Sequence, residues 1–314
     1  MQPPMPSATA TWHNDTYPAI SPSRPELSAG DKTIVIIGSG TGIGRQTAVS
    51  FAKAGASRIV LLGRREDKLK ETASLVASAS AVTEALVRTV DITDFDRLKD
   101  VAAEVGKWNV IVIASVYPSA ASTIVSTDVD EWWQGFETNV KGLLLSLKAF
   151  VPTAVETGGA VLTLTTQAVA FPVTHVPGAS GYIASKLAQI KIMEYLAAEN
   201  PSLFAATVHP GICDTAVLAK SGMKPHEVPL DRNLDDADKS RPSVELPADF
   251  LVWLASPEGA FLKGRMVAAN WDVDELKTQT ESIQSGGAEC QPWRSAESGL
   301  SCLWREGIDH GLIF

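Results

Sequence analysis

The sequence predicts a doubly wound α/β fold, a seven-stranded parallel sheet flanked by helices in a single domain. Three observations carry this expectation. Seven short apolar runs recur from Thr33 onward, and they are continuous rather than alternating, the pattern of strands buried on both faces. Helical stretches separate them in the order strand, helix, strand, helix. No internal repeat interrupts the 314 residues.

Residues 1–31 carry much of the chain's proline and no hydrophobic periodicity, so they read as an extended leader. Disorder is the plainest expectation there. Trp12, Tyr17, Ile20 and Leu27 are more apolar than a disordered tail usually is, which suggests that part of the leader lies along the core. TIVII (33–37) is the first strand and feeds a glycine-rich turn into a helix starting near Gly42. RIVLLG (58–63) precedes a charged helix from about Glu66, ALVRTV (85–90) ends at Asp91, and NVIVIA (109–114) is the fourth strand. AVLTLTT (160–166), LFAATVHP (203–210) and GRMVAA (264–269) complete the seven. A polar stretch from Lys220 to Val244 falls between the sixth and seventh strands and reads as a substrate lid or insertion. The α/β domain is expected over 32–275, with 276–314 as a C-terminal extension whose Trp293 and Trp304 need something to pack on.

Composition narrows the function. A net charge of −9 without clustered Lys and Arg argues against nucleic-acid binding. Cys213, Cys290 and Cys302 are too few and too scattered for a disulfide framework or a zinc site. Cys290 and Cys302 could pair in principle, but a reduced chain is the expectation. No histidines have metal-ligand spacing, so no metal is expected. No apolar run approaches the roughly 18 residues of a membrane span, and the leader lacks a signal-peptide pattern. The expectation is a soluble cytoplasmic protein with no membrane partner.

The stretch TIVIIGSGTGIGRQ, from Thr33 to Gln46, admits two registers. G-x-G-x-x-G fails because Ile43 stands at its last position. Gly38, Gly42 and Gly44 instead give G-x-x-x-G-x-G. A strand feeding such a turn into a helix makes an anion site from free N–H groups and the positive end of the helix dipole. The second strand ends in Gly63-Arg64-Arg65, where a carboxylate would hold the ribose hydroxyls of NAD. Arginine suits the 2′-phosphate of NADP through charge-assisted hydrogen bonds, so NADP(H) is favoured over NAD(H). The plainer alternative pairs these arginines with Glu66 or Asp67.

Tyr182 and Lys186 lie four apart at the start of a helix and share a face. A neighbouring ammonium favours the phenolate and draws a tyrosine toward the working pH range. Upstream, Thr165-Thr166 end the fifth strand, where ligands bind in such sheets.

With these motifs in order, the chain resembles the short-chain dehydrogenase/reductase family over residues 32–275. The resemblance implies a Rossmann fold and settles the glycine register. The family's T-G-x-x-x-G-x-G maps onto Ile37–Gly44, which brings Thr41 and Ile43 into the cofactor site. Its adenine-contacting Asp corresponds to Asp91, followed by Ile92. Its tetrad Asn falls on Asn139, its Tyr and Lys on Tyr182 and Lys186. Pro210-Gly211 is its Pro-Gly motif, with Ile212 and Thr215 toward the nicotinamide end. The catalytic serine is replaced, with Thr166 the first candidate and Thr165 the second, and the spacer to Tyr182 is about three residues longer than usual.

Two other departures stand together. Ile37 replaces the loop threonine, and Ile113-Ala114-Ser115-Val116 replaces Asn-Asn-Ala-Gly, leaving Ala114 beside the cofactor. Losing both hydrogen-bonding partners at once can be nearly neutral, so an apolar repacking beneath the cofactor is expected. The leader and RMVAANWDVDEL (265–276) resemble fungal members, some of them in natural-product pathways.

The resemblance implies NADPH-dependent reduction of a carbonyl in a small organic substrate, or the reverse oxidation, by a homodimer or homotetramer. Tyr182 would be the general acid/base, Thr166 would hold the substrate oxygen, and Lys186 would lower the tyrosine pKa. Asn139 would position a relay water. Two alternatives stay open: non-redox chemistry on the same scaffold, and a catalytically silent cofactor-binding regulator. His209 is expected to pack near the cofactor, and His175 lies in the substrate-side loop. Trp132-Trp133 would serve helix packing or a subunit contact.

Overall fold

Apolar runs without alternation leave both faces of a strand needing cover, and each face of this sheet is covered. The computed structural model describes residues 7–213 and 244–285. Strands β1 (Thr33–Ile37), β2 (Arg58–Gly63), β3 (Glu84–Thr89), β4 (Val110–Ile113), β5 (Gly159–Leu164), β6 (Leu203–His209) and β7 (Met266–Ala268) form one sheet. Their order is β3-β2-β1-β4-β5-β6-β7, and every pairing is parallel. On one face Ile34, Ile36, Val110 and Val112 pack against α1 (Gly42–Lys53), α2 (Glu66–Ala79) and α7 (Glu245–Leu254). On the other, Val35, Ile37, Ile111 and Ile113 pack against α3 (Phe95–Val105), α5 (Gly142–Phe150) and α6 (Ser180–Glu199). This is the doubly wound sheet that the sequence predicts.

Strand order reverses between β1 and β4, and the carboxyl ends there open the crevice where ligands bind in such sheets. Strand ends differ from the sequence reading in ways that shape this crevice. β5 stops at Leu164, because the Thr166 side chain accepts the Ala168 N–H (3.2 Å) and starts a tight turn at Gln167–Ala170. β7 is shortened by a turn at Gly264, whose φ is +73° and whose N–H donates to Ala205 O at 2.7 Å.

The disorder expected of the leader does not hold over residues 7–31. Trp12, Ile20 and Leu27 are buried in the core cluster, and Trp12 bridges Trp271 as an isolated antiparallel pair. Ala10 and Thr11 donate N–H groups to the Glu275 carboxylate at 2.6 and 3.1 Å, on α8 (Val273–Thr278). Thr16 Oγ1 of the leader and Ser50 Oγ of α1 both donate to Asp249 of α7, each at 2.6 Å. The leader is a strap across the helices beside β7. A last helix, α9 (Thr280–Ser285), ends the described chain.

The Lys220–Val244 stretch up to residue 243, Thr215, Cys290, Cys302, Trp293 and Trp304 lie outside the described residues. Among the described residues no helix is long and apolar enough to cross a membrane, and no cluster of His, Cys, Asp and Glu could hold a metal ion.

Candidate active site

Why the loop after β1 needs glycine is visible in its contacts. Gly38 and Gly42 adopt φ of +95° and +57°, a region that side chains disfavour. A Cβ at Gly38 would lie 2.6 Å from Ser115 N, and one at Gly44 would lie 2.3 Å from Gly38 O. Gly40 has neither constraint: its Cβ would meet Lys68 Cβ at 3.2 Å. The G-x-x-x-G-x-G register therefore describes the backbone. Thr41 precedes α1 without a side-chain cap, so the first N–H groups of a 12-residue helix face the crevice beside Gly42 and Ile43. Such an end fits the pyrophosphate of a dinucleotide.

Beneath the loop, Ile37 pairs with Ile113 in register and shares its apolar cluster, while Ala114 N donates to Ile37 O at 2.8 Å. Two hydrocarbon side chains thus fill the place where the family resemblance has polar partners. At the β2 end, Arg64 is 75% exposed and, among the described residues, meets the Asp91 carboxylate at 3.9 Å. Its guanidinium is free to take an anion. Asp91 Oδ1 accepts both the N–H and the hydroxyl of Thr93 (2.9 and 2.8 Å), which fixes the turn after β3. The Ile92 side chain packs away from the crevice: it is buried and fills the space that Gly142 leaves on α5. Any cofactor contact at this position is left to its main chain.

Tyr182 and Lys186 occupy the first two turns of α6. The Lys186 ammonium is buried and donates to Leu164 O at 3.0 Å and to Gln189 Oε1 at 2.8 Å. Its Nζ lies 5.7 Å from the Tyr182 ring centroid. Burial pulls Lys186 down to about 7 and pushes Tyr182 up to about 12, since desolvation penalises each charged form. The expected lowering of the tyrosine pKa by its lysine is therefore absent from this structure. Burial is the cause that moves both groups, and it raises Tyr182 rather than lowering it. Thr166 is the half-buried hydroxyl at the end of β5. Thr165 is turned inward, 3% exposed.

Asn139 sits in a π turn, Glu137–Lys141, between α4 (Val129–Phe136) and α5. Its amide is fully engaged by neighbours: Oδ1 accepts Tyr117 N (2.8 Å), while Nδ2 donates to Tyr117 O and Ser185 Oγ (3.0 Å each). The side chain clamps the loop after β4 to α6. Pro210, Gly211 (φ +79°) and Ile212 follow β6 and are half-buried at the same edge.

Sequence reasoning missed several members of this site. Gln189 and the clamp on Tyr117 depend on contacts that no motif encodes. Glu131 accepts the Tyr117 hydroxyl (2.6 Å) and Ala120 N (3.2 Å), tying the same loop to α4. Ser122 N donates to Gly178 O at 2.9 Å, which joins that loop to the long segment before α6. Trp132 lies against Gly181, where a Cβ would be 2.9 Å from its Cδ1, and donates to Ser180 Oγ at 3.1 Å. Trp132 thus packs α4 on α6, whereas Trp133 is half-exposed. His209 is buried and neutral, pulled down to about 4 by desolvation. Neither of its ring nitrogens nor Thr165 Oγ1 finds a partner among the described residues. His175 is exposed.

The short chain dehydrogenase family matches residues 32–225. The short chain dehydrogenases mpl6 of Monascus purpureus and citE of Monascus ruber are each 33% identical to this chain over 296 residues, covering 90% of it and 96% of their own length. A short chain dehydrogenase from Shigella flexneri 2a str. 301, solved in complex with NADP, has the same fold at a TM-score of 0.65 and 19% identity, covering 78% of this chain and 99% of its own. With the glycine loop, the sheet order and the Tyr182–Lys186 helix in place, the chain belongs to the short-chain dehydrogenase family.

Proposed function

We propose that the protein is an NADP(H)-dependent oxidoreductase that reduces the carbonyl of a small organic substrate, a natural-product intermediate, in the cytoplasm. The observation that carries this reading is the buried Lys186 ammonium 5.7 Å from the Tyr182 ring centroid on one helix face, hydrogen-bonded to Leu164 O at the end of β5. The glycine turn and the start of α1 would hold the pyrophosphate, with Thr41, Gly42, Ile43 and Gly44 against it. Arg64 would take the 2′-phosphate, and Asp91, Ile92 and Ala114 would flank the adenosine. Pro210, Gly211, Ile212 and Thr215 would line the nicotinamide end. When bound, the nicotinamide supplies the hydride.

The chain's own residues manage the proton and the oxygen. With Tyr182 pushed up to about 12, the phenol is protonated at neutral pH, the form that can give a proton to a carbonyl oxygen. Thr166 Oγ1 accepts the Ala168 N–H, so its own hydroxyl hydrogen is available to the substrate oxygen. Lys186 would bind the nicotinamide ribose and favour the phenolate left after proton transfer. Because the Asn139 amide is engaged by Tyr117 and Ser185, a relay water toward Lys186 would rest on its main-chain carbonyl.

Self-association would use the outer faces of α5 and α6, where exposed Leu144 and Tyr195 line a groove of about 780 Å³. Tyr182→Phe should lower kcat by about 10²–10⁴-fold while NADPH binding, followed by fluorescence, persists. Turnover surviving that change would show that the acid is elsewhere. A stoichiometric fall of NADPH absorbance as product forms separates reduction from dehydration or isomerisation.

A further inference from the structure

Gln189 lies on the Tyr182–Lys186 face of α6 and has no part in the reaction derived above. It sits one turn past Lys186, 1% exposed, and its Oε1 accepts from Lys186 Nζ at 2.8 Å. A buried polar side chain with an acceptor aimed at the ammonium is a costly arrangement unless the hydrogen bond is made. An ammonium carries three N–H groups. Leu164 O at the end of β5 takes one at 3.0 Å, and Gln189 takes a second. One N–H remains for the side where Tyr182 and the ribose would lie.

We propose that Gln189 is a positioning residue for Lys186, whose amide oxygen keeps the buried ammonium charged and turned so that a single N–H serves the reacting side. The proposal rests on the reading that Lys186 assists Tyr182. Hydrogen bonds from a charged donor are about twice as strong as those between neutral groups, so this acceptor favours the protonated lysine.

The surroundings offer no other described group for that purpose. On α6 the titratable neighbour is Tyr182 itself. The end of β5 offers the Leu164 carbonyl, followed past the strand by the hydroxyls of Thr165 and Thr166, and β6 ends in the neutral His209. On α4, Glu131 is held by Tyr117 and Ala120. On the π turn, Glu137 pairs with Lys141 at 2.8 Å, and Asn139 is clamped as described. Desolvation is the cause that moves Lys186, and among the described residues no charged group of these elements faces it.

Two variants at Gln189 should move the lysine in opposite directions. Gln189→Leu removes the acceptor and should lower the Lys186 pKa by about one unit, a tenfold change in its protonation equilibrium. Gln189→Glu adds a charge and should raise it by at least as much. The readout is NMR titration of the Lys186 Nζ and Cε signals in the enzyme without cofactor, assigned with Lys186→Met, alongside the kcat–pH profile. The basic limb of that profile should follow the same two directions. Gln189→Met, unbranched and of similar length, replaces the leucine variant should that one not fold.

A lysine titration that stays put in folded Gln189→Glu or Gln189→Met overturns the proposal, because a merely structural glutamine would change stability and leave the titration alone. Loss of turnover in Tyr182→Phe with an unmoved lysine titration would remove the role of Gln189 and keep the reaction. Turnover surviving in Tyr182→Phe would remove the reaction, while the titration would still report on the Gln189–Lys186 pair.

Discussion

A Cβ at Gly44 would stand 2.3 Å from a main-chain oxygen and 3.2 Å from Ala114 Cβ, so the turn must open to accept it. Opening the turn moves the N–H groups that would face a phosphate. Gly44→Ala should therefore weaken NADPH binding by more than about tenfold, a loss of about 1.4 kcal/mol, in a fluorescence titration. Gly40→Ala, which presses only on Lys68, should bind NADPH within about threefold of the parent chain, a difference under about 0.7 kcal/mol. Equal affinities for the two variants would show that the loop register is wrong. These glycines were legible because their chemistry is local: strand, turn and helix follow within a dozen residues. Tyr182 and Lys186 were legible for the same reason, as an i,i+4 pair on one helix. The place of Asn139 was legible, but its side-chain clamp was not, since Tyr117 is 22 positions away and nothing in the sequence marks the return of that loop.

Elements show the same division between near and far. Six of the seven strands begin within a residue of where their apolar runs begin, because burial on both faces leaves an uninterrupted signature. The leader carries no such signature. Apart from Ala29, whose N–H donates to Ala54 O, its long-range hydrogen-bond partners lie 233 to 271 positions along the chain, and these bonds are single contacts rather than a periodic face. What it does can be weighed at Trp12, which is 2% exposed and bridges Trp271. Removing a buried indole leaves a cavity and costs about 3–5 kcal/mol. Trp12→Ala should lower the unfolding free energy by that order in urea denaturation. A change under about 1 kcal/mol would mean that the strap lies on the domain without supporting it, since substitutions away from packed features stay near ±0.5 kcal/mol.

For the whole molecule, acid tests how much of the fold depends on burying polar groups at the carboxyl ends of the strands. His209 at the end of β6 is pulled from 6.5 to about 4 by burial, with no hydrogen bond to either ring nitrogen among the described residues. The unfolded chain therefore binds a proton between pH 6.5 and 4 that the folded chain refuses. Stability rises with pH wherever the unfolded state holds more protons, so this group weakens the fold progressively as pH falls through that window. Integrated from pH 7 to pH 4, the loss is about 3 kcal/mol. Glu258 adds a second loss below pH 4.5. It is held down to about 2 by hydrogen bonds from Lys277, Arg24 and Trp253, which outweigh its desolvation, and its protonation loosens the strap at Arg24 (2.7 Å). The two windows barely overlap, which lets them be separated. His209→Asn has nothing to titrate, so its urea-unfolding free energy should fall between pH 7 and pH 4 by about 3 kcal/mol less than that of the parent chain. Parallel pH curves for the two proteins would mean that His209 is protonated in the fold, with the end of β6 open to solvent rather than closed over a neutral ring.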